Sequence, residues 1–327
     1  MKAIVYTEYG IPDVLRLAEV ATPAPKDDEV LIRTRAASVN ALDWRLMRGA
    51  PHVVRMLFRL RKPTIAQPGR PGRDVAGTVE AVGSSVTRFK PGDEVFGVCP
   101  GAFAEYACAS QDKLAPKPAN ISFEEAAAVP VAAVSALQGL RDKGRIQRGQ
   151  NVLVDGASGG VGTFAVQIAK SFGAEVTAVC STRNVDTARS IGADHIIDYT
   201  REDFTQGGQR YDLILAANAY HSIFDYRRAL SRDGRYVMAG GGWAQILQVV
   251  VLGPLLSRIG RKKMCLFMAN INRTDLGLLK DLLEAGTIVP VIDRRYPLSE
   301  GAEAIRYLGE GHARGKVVIT MEHRGEA

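Results

Sequence analysis

No two cysteines in this sequence stand near one another. The four, Cys99, Cys108, Cys180 and Cys265, form no CxxC pair, which argues against a disulfide framework and fits reduced thiols in a cytoplasm. Long apolar runs are missing too. The best, ILQVVVLGPLL, is broken by Gln248 and Pro254 and falls short of the ~18 residues that a membrane span needs. The opening MKAIVYTEYG runs straight into a strand-like segment without a charged leader and long apolar core, so no signal peptide is expected. Acidic residues are absent from Trp44 to Arg73, where eight Arg and Lys fall, so the net charge of +7 sits almost wholly in that segment. Aromatics make up only 7%. With no nucleic-acid motif beside the basic run, anionic small molecules or an anionic surface are the expected partners, not nucleic acid.

The remainder is ordinary globular material, 46% hydrophobic and 24% charged over 327 residues, enough for one large or two ordinary domains. The first third reads as short strands (KAIVYT, EVLIRTRAA, DVAGTVEAVG, DEVFGV, AFAEYACA) divided by turns at PAPKDD, RPGR and KPGD, the pattern of a small barrel or sandwich. ISFEEAAAVPVAAVSALQGLRDKG then reads as helical, with Ser122 as N-cap and Glu125 as its capping-box partner. From NVLVDG to RYVMAGG strands and helices alternate, which means βαβ units and a doubly wound parallel sheet. A helix (DLGLLKDLLEAG), a strand (VPVIDRRYPL), another helix and a closing strand, GKVVIT, follow.

Chemistry enters at VLVDGASGGVGTFAVQIAK. Here a glycine-rich turn joins a strand to an amphipathic helix. Gly156, Gly159 and Gly162 give the tight turn, the close backbone approach and the close helix packing, and the N–H groups of the helix start face a pyrophosphate. The next strand ends about twenty residues beyond Gly162, where an NAD site often carries an acidic residue. Here Ser181, Thr182, Arg183 and Asn184 stand instead. Hydroxyls, an amide and a guanidinium suit the 2′-phosphate of NADP(H), which a carboxylate would repel. Thr182, Arg183 and Asn184 also suit a helix cap, and both roles can hold together.

KAIVYTEYG, SVNALDWRLMRG, GRDVAGTVEAVG, KPGDEVFG, GAFAEYA, VLVDGASGGVGTFAVQIAK, GADHIIDY and GKVVI together resemble the medium-chain dehydrogenase/reductase superfamily, in particular its quinone-oxidoreductase branch. That resemblance implies an α/β chain with a Rossmann sheet inserted in a GroES-like β-rich catalytic domain, with boundaries expected at 1–121, 122–266 and 267–327. It implies a substrate cleft between the two domains, pyrophosphate contacts from Ser158, Gly160 and Val161, and a 2′-phosphate reached by Ser181 and Tyr199. Lys316 would lie near the cofactor, with Asn218 in the loop after the fourth Rossmann strand, and Asn40 beside the nicotinamide. Relatives are often dimers.

Zinc enzymes of the superfamily draw on Cys and His ligands. The matching places here read Asn40, Arg73-Asp74 and the neighbourhood of Pro130-Val131, which lack thiolate and imidazole, so no metal is expected. Without a Lewis acid, reduction of a quinone or α,β-unsaturated carbonyl is favoured over alcohol oxidation, since the acceptor is polarised by its own carbonyl. Asn40 could bond that carbonyl or be a turn residue. Asp43 could be an acid or pair with Arg45, Arg48 or Arg73, and pairing is expected. Tyr220, beside His221, could donate a proton or serve the loop. A non-catalytic NADPH-binding protein and an alcohol dehydrogenase remain the alternatives. The basic-apolar segments 44–73 and 243–263 could act as a lid over the cleft or touch an anionic membrane.

Overall fold

The computed structural model describes residues 1–49 and 62–322, and the chain divides into two compact units. One holds Met1–Val131, Ile271–Glu284 and Pro290–Ala327; the other holds Ala132–Asn270 and Ala285–Val289. In chain order, β1 (Lys2–Val5) and β2 (Arg16–Glu19) form an antiparallel pair. After them come β3 (Glu29–Val39), α1 (Ala41–Arg48), β4 (Asp74–Val82), β5 (Glu94–Val98), β6 (Tyr106–Ser110) and β7 (Leu114–Pro116). α2 (Phe123–Ala127) and α3 (Pro130–Gln138) lead into β8 (Asn151–Asp155), α4 (Gly160–Ser171), β9 (Glu175–Cys180), α5 (Val185–Ser190), β10 (His195–Asp198) and β11 (Tyr211–Ala216). α6 (Ile223–Ala229), β12 (Leu230–Met238), α7 (Trp243–Arg258), β13 (Lys263–Leu266), α8 (Arg273–Glu284), β14 (Ile292–Pro297), α9 (Gly301–Gly309) and β15 (Lys316–Thr320) complete it.

The first unit is built on a sheet of order β14-β15-β3-β4-β5-β7, with β6 paired to β3. Its inward faces bury Ile32, Val79, Val95, Phe103, Leu114 and Ile319, each contributing roughly 1.5–3 kcal/mol of apolar burial. β15 runs antiparallel to β3, with Val317 opposite Val39. This pairing carries Lys316, near the carboxyl end of the sequence, to the start of α1. The second unit is a six-stranded parallel sheet of order β10-β9-β8-β11-β12-β13. Its order reverses between β9 and β11 around β8, the switch point at which such sheets bind ligands.

The expected helix over 121–144 is broken. Ser122 and Glu125 do form their capping box, but α2 ends at Ala127 and Pro130 opens α3. A proline lacks the N–H that a continuing helix needs and fits a first turn. A π-helical turn, Gly139–Gly144, follows. The units divide after Val131, whose N–H donates to Asp74 of β4 at 2.9 Å; the sequence reading sets the boundary at 121. Val289 joins the second unit through Gln167, whose side chain bonds both its N–H and its carbonyl. Residues 50–61 of the basic segment 44–73 lie outside the described residues.

Candidate active site

In the second unit, β8 delivers Asp155 and the chain then turns at Gly156, whose φ of 77° favours glycine. A Cβ at Gly162 would stand 2.1 Å from the Gly156 carbonyl oxygen and 2.7 Å from the backbone of Ala157, contacts that no side chain survives. Asn218 backs the same turn, its Cβ lying 3.0 Å from where a Gly156 Cβ would be. Gly159 caps α4, and the amides at the start of this twelve-residue helix (Gly160, Val161, Gly162) form the positive end of its dipole. Backbone donors therefore line a cradle that only glycine permits.

β9 ends alongside this turn, at Ser181 to Asn184. Asn184, 4% exposed, donates from Nδ2 to Ser158 Oγ at 3.0 Å and to Ser181 Oγ at 3.1 Å, tying the glycine loop to the strand end. Its Oδ1 is buried with no partner. A buried amide oxygen left unpaired costs about 1–3 kcal/mol, so this atom marks where a ligand hydroxyl or amide would be received. Both serine hydroxyls can donate as well as accept. Turned over, the same amide would offer Nδ2 to an anion. A dinucleotide fits this donor set. Arg183 is exposed at the rim.

Thr182 corrects the sequence expectation. Its hydroxyl is given to the Asp198 carboxylate at 2.5 Å, so it is not free to donate to a phosphate. Asp198 was not among the expected site residues. Parallel pairing sets it opposite Cys180, where it also accepts the Thr200 hydroxyl at 2.7 Å and the Thr200 N–H at 3.0 Å. These bonds, that of Thr182 foremost, hold its carboxyl below the usual range.

Tyr199 and Tyr220, each about half exposed, meet edge to face with ring centroids 6.3 Å apart. Burial chiefly raises the Tyr220 phenol to about 12. Its backbone N–H donates to the Tyr226 hydroxyl and its carbonyl accepts from Gln245. The structure thus sets Tyr220 beside Tyr199, the side chain that the resemblance expects at the 2′-phosphate. Below the glycine loop, Tyr226 donates to the buried Asp155 at 2.5 Å, and burial lifts Asp155 to about 7.

The first unit gathers a second polar group, entirely buried. Asp74 accepts from the Ser38 hydroxyl at 2.6 Å, Asn40 Nδ2 at 2.9 Å and the Val131 N–H at 2.9 Å. Lys316, 3% exposed, donates to Asn40 Oδ1 at 2.7 Å, the Val39 carbonyl at 3.2 Å and Asp74 at 3.3 Å. An ammonium only donates and a carboxylate only accepts, which fixes the Asn40 amide orientation. Its Nδ2 also reaches the Ser38 carbonyl at 3.4 Å. Both Asn40 hydrogens and all three Lys316 hydrogens therefore point inward. The expected Asn40 bond to a substrate carbonyl, and a Lys316 bond to the dinucleotide, would each require one of these to be surrendered. Asp43 departs from the expected Arg pairing. It accepts the Asn40 N–H at 2.8 Å and the Gly72 N–H at 3.3 Å as the cap of α1, with Arg73 contributing a weaker long-range pull. Burial chiefly lifts its carboxyl to about 6.

Of the three places matching zinc ligands, Asn40 and Asp74 both accept from the Lys316 ammonium, and the Val131 N–H donates to Asp74. That donor set does not fit zinc. Among the described residues no group of three or more His, Cys, Asp or Glu could hold a metal ion.

A Rossmann sheet with its phosphate cradle, joined to a β-rich unit made of both ends of the chain, defines the two-domain architecture of a dinucleotide-dependent oxidoreductase. Known proteins agree. Residues 26–119 match the alcohol dehydrogenase GroES-like domain and residues 191–319 the zinc-binding dehydrogenase family. The chain is 34% identical over 333 residues to a chloroplastic quinone-oxidoreductase homolog of Spinacia oleracea, covering 98% of each. It is 34% identical over 334 residues to a chloroplastic NADPH-dependent alkenal/one oxidoreductase of Arabidopsis thaliana, covering 98% of this chain and 79% of that protein. The quinone oxidoreductase structure from Coxiella burnetii superposes with a TM-score of 0.85 at 29% identity, covering 98% of this chain and 99% of that one. The chain belongs to the quinone-oxidoreductase family of the medium-chain dehydrogenase/reductases.

Proposed function

We propose that the protein reduces quinones or α,β-unsaturated carbonyl compounds by hydride transfer from NADPH, without zinc. The observation that carries the zinc-free reading is the Lys316 ammonium, buried among Asn40, Asp74 and Val39 where a metal's ligands would have to converge. NADPH, when bound, supplies the hydride. The residues' work is placement. The Gly160 and Val161 amides and Ser158 receive the pyrophosphate. Ser181, Arg183, Asn184 and Tyr199 receive the adenosine end with its 2′-phosphate. Lys316 and Asp74 hold Asn40 rigid, as the family resemblance expects beside the nicotinamide. The proton comes from solvent, since Asp43, Asn40 and Lys316 are all engaged internally and Tyr220 stands with Tyr199.

NADPH consumption with a panel of quinones and enones tests this. Turnover that persists after exhaustive metal chelation supports the proposal. Tight NADPH binding with no turnover on any acceptor favours a non-catalytic NADPH-binding protein, and activity restored only by stoichiometric zinc favours an alcohol dehydrogenase. A cytoplasmic location belongs to the same proposal and rests on the four free cysteines. No described helix is long and apolar enough to cross a membrane.

The described half of the basic-apolar pair adds a surface reading. On α7, Trp243, Leu247, Val250, Val251 and Leu255 are exposed along one stripe, and no acidic residue falls between Asp233 and Asp275. Peripheral contact with an anionic membrane fits that chemistry. Cosedimentation with anionic vesicles at low salt tests it, while association of two copies measured by sedimentation velocity would assign the stripe to a homodimer instead.

A further inference from the structure

Asp198 places a full negative charge against the turn that receives the dinucleotide. It closes β10, parallel to β9 and opposite Cys180, so it stands beside the first residues that follow β9. One oxygen accepts the Thr182 hydroxyl, the other the hydroxyl and N–H of Thr200, and the two threonine hydroxyls lie 3.0 Å apart. Arg201 approaches at 3.6 Å, but its side chain is 75% exposed, and such an ion pair offsets little of the charge. The next residue, Tyr199, is fixed to β9 through its N–H on the Cys180 carbonyl at 3.0 Å. The charge and the turn at Ser181 are therefore held in one rigid relation.

We propose that Asp198 is a specificity-determining residue whose carboxylate weakens binding of the 2′-phosphate, holding NADPH and NADH closer in affinity than Ser181, Arg183 and Tyr199 alone would. This rests on the reading that the 2′-phosphate is received at Ser181 to Asn184. A phosphate ester carries about −1.5 to −2 charges at neutral pH, and NADH has none at that place. The repulsion falls on NADPH alone. Across several ångströms of partly solvated space it is a small effect, about three- to tenfold in affinity. The carboxylate also commits Thr182 to itself, taking one hydroxyl donor from the phosphate.

The test is calorimetric titration of the full-length protein and Asp198→Asn with NADPH and with NADH, at low and at moderate salt. Asparagine removes the charge and keeps one acceptor oxygen, for Thr182, while its amide NH2 takes the place of the oxygen that accepted from Thr200. Its Kd for NADPH should fall about three- to tenfold while that for NADH moves less than about twofold, with the gain shrinking as salt rises. An unchanged or lowered NADPH preference overturns the proposal. If Asp198→Asn folds poorly, Asp198→Ser carries the same expectation. Thr182→Val separates charge from anchoring: if Asp198 merely anchors the turn, both variants weaken both dinucleotides alike, which also overturns it. Arg183→Ala checks the underlying reading independently. Equal loss of both dinucleotides there means the 2′-phosphate lies elsewhere. A selective loss of NADPH with no effect of Asp198→Asn means that Asp198 alone was misassigned.

Discussion

Replacing Lys316 with methionine keeps most of the side-chain volume and removes the ammonium. What remains is a fully buried Asp74 carboxylate that still accepts from Ser38, Asn40 and Val131 but has lost its counter-charge. The Asn40 Oδ1 and the Val39 carbonyl lose their donor as well. Breaking one side of a buried ion pair destabilises by about 3–5 kcal/mol, which for a unit of this size lowers Tm by about 6–20 °C. The chain has two tryptophans, Trp44 in the first unit and Trp243 in the second. In a Trp243→Phe background, Trp44 fluorescence during urea unfolding therefore reports on the unit that holds Lys316. Adding Asp74→Asn to Lys316→Met should return part of the loss, because the stranded charge goes with it, with a coupling of about 1–3 kcal/mol. A loss below about 1 kcal/mol, or strict additivity of the two changes, would refute the view that this ammonium neutralises the site.

Other consequences are open to measurement. Gly162→Ala sets a methyl against the Gly156 carbonyl; it should cost about 1–3 kcal/mol of stability and weaken NADPH binding at least about tenfold by fluorescence titration. Asn184→Ala removes the half-satisfied amide and should weaken NADPH about tenfold or more. Asp155 is lifted to about 7. The native state therefore keeps a proton that the unfolded chain releases above about pH 4, so this group's stabilisation is full below that pH and is lost as pH rises through 7, by up to about 4 kcal/mol. Asp155→Asn, which still accepts from Tyr226, should flatten that slope in unfolding curves measured from about pH 5 to 8.

Much of this was legible in the residues because the signals were local. Gly156, Gly159 and Gly162 declare a turn by their spacing, and Ser122 with Glu125 declares a cap. The alternation after Asn151 declares a parallel sheet. What misled was long-range pairing. Thr182 looked like a phosphate donor because nothing near it in the chain reveals that β10 brings Asp198 to its hydroxyl. A parallel sheet aligns strand ends, so an acid closing the neighbouring strand was the usable signal. Asp43 looked like an Arg partner because arginines surround it in sequence, yet its position three residues after Asn40 is that of a capping box. Lys316 and Asn40 are 276 residues apart, and only antiparallel pairing of the first and last parts of the chain could have joined them. The contact of Tyr220 with Tyr199 was hidden for a similar reason, since Tyr199 comes from another strand's end.

The central claim is hydride delivery from NADPH to an activated carbon by a protein with no metal in play. Single-turnover reduction of an enone by NADPH deuterated on the transferring face of C4, in ordinary water after chelation, tests it most directly. The expected product carries one deuterium on the β-carbon and a solvent proton on the α-carbon. Deuterium lost to water, or no product until zinc is restored, would contradict the account.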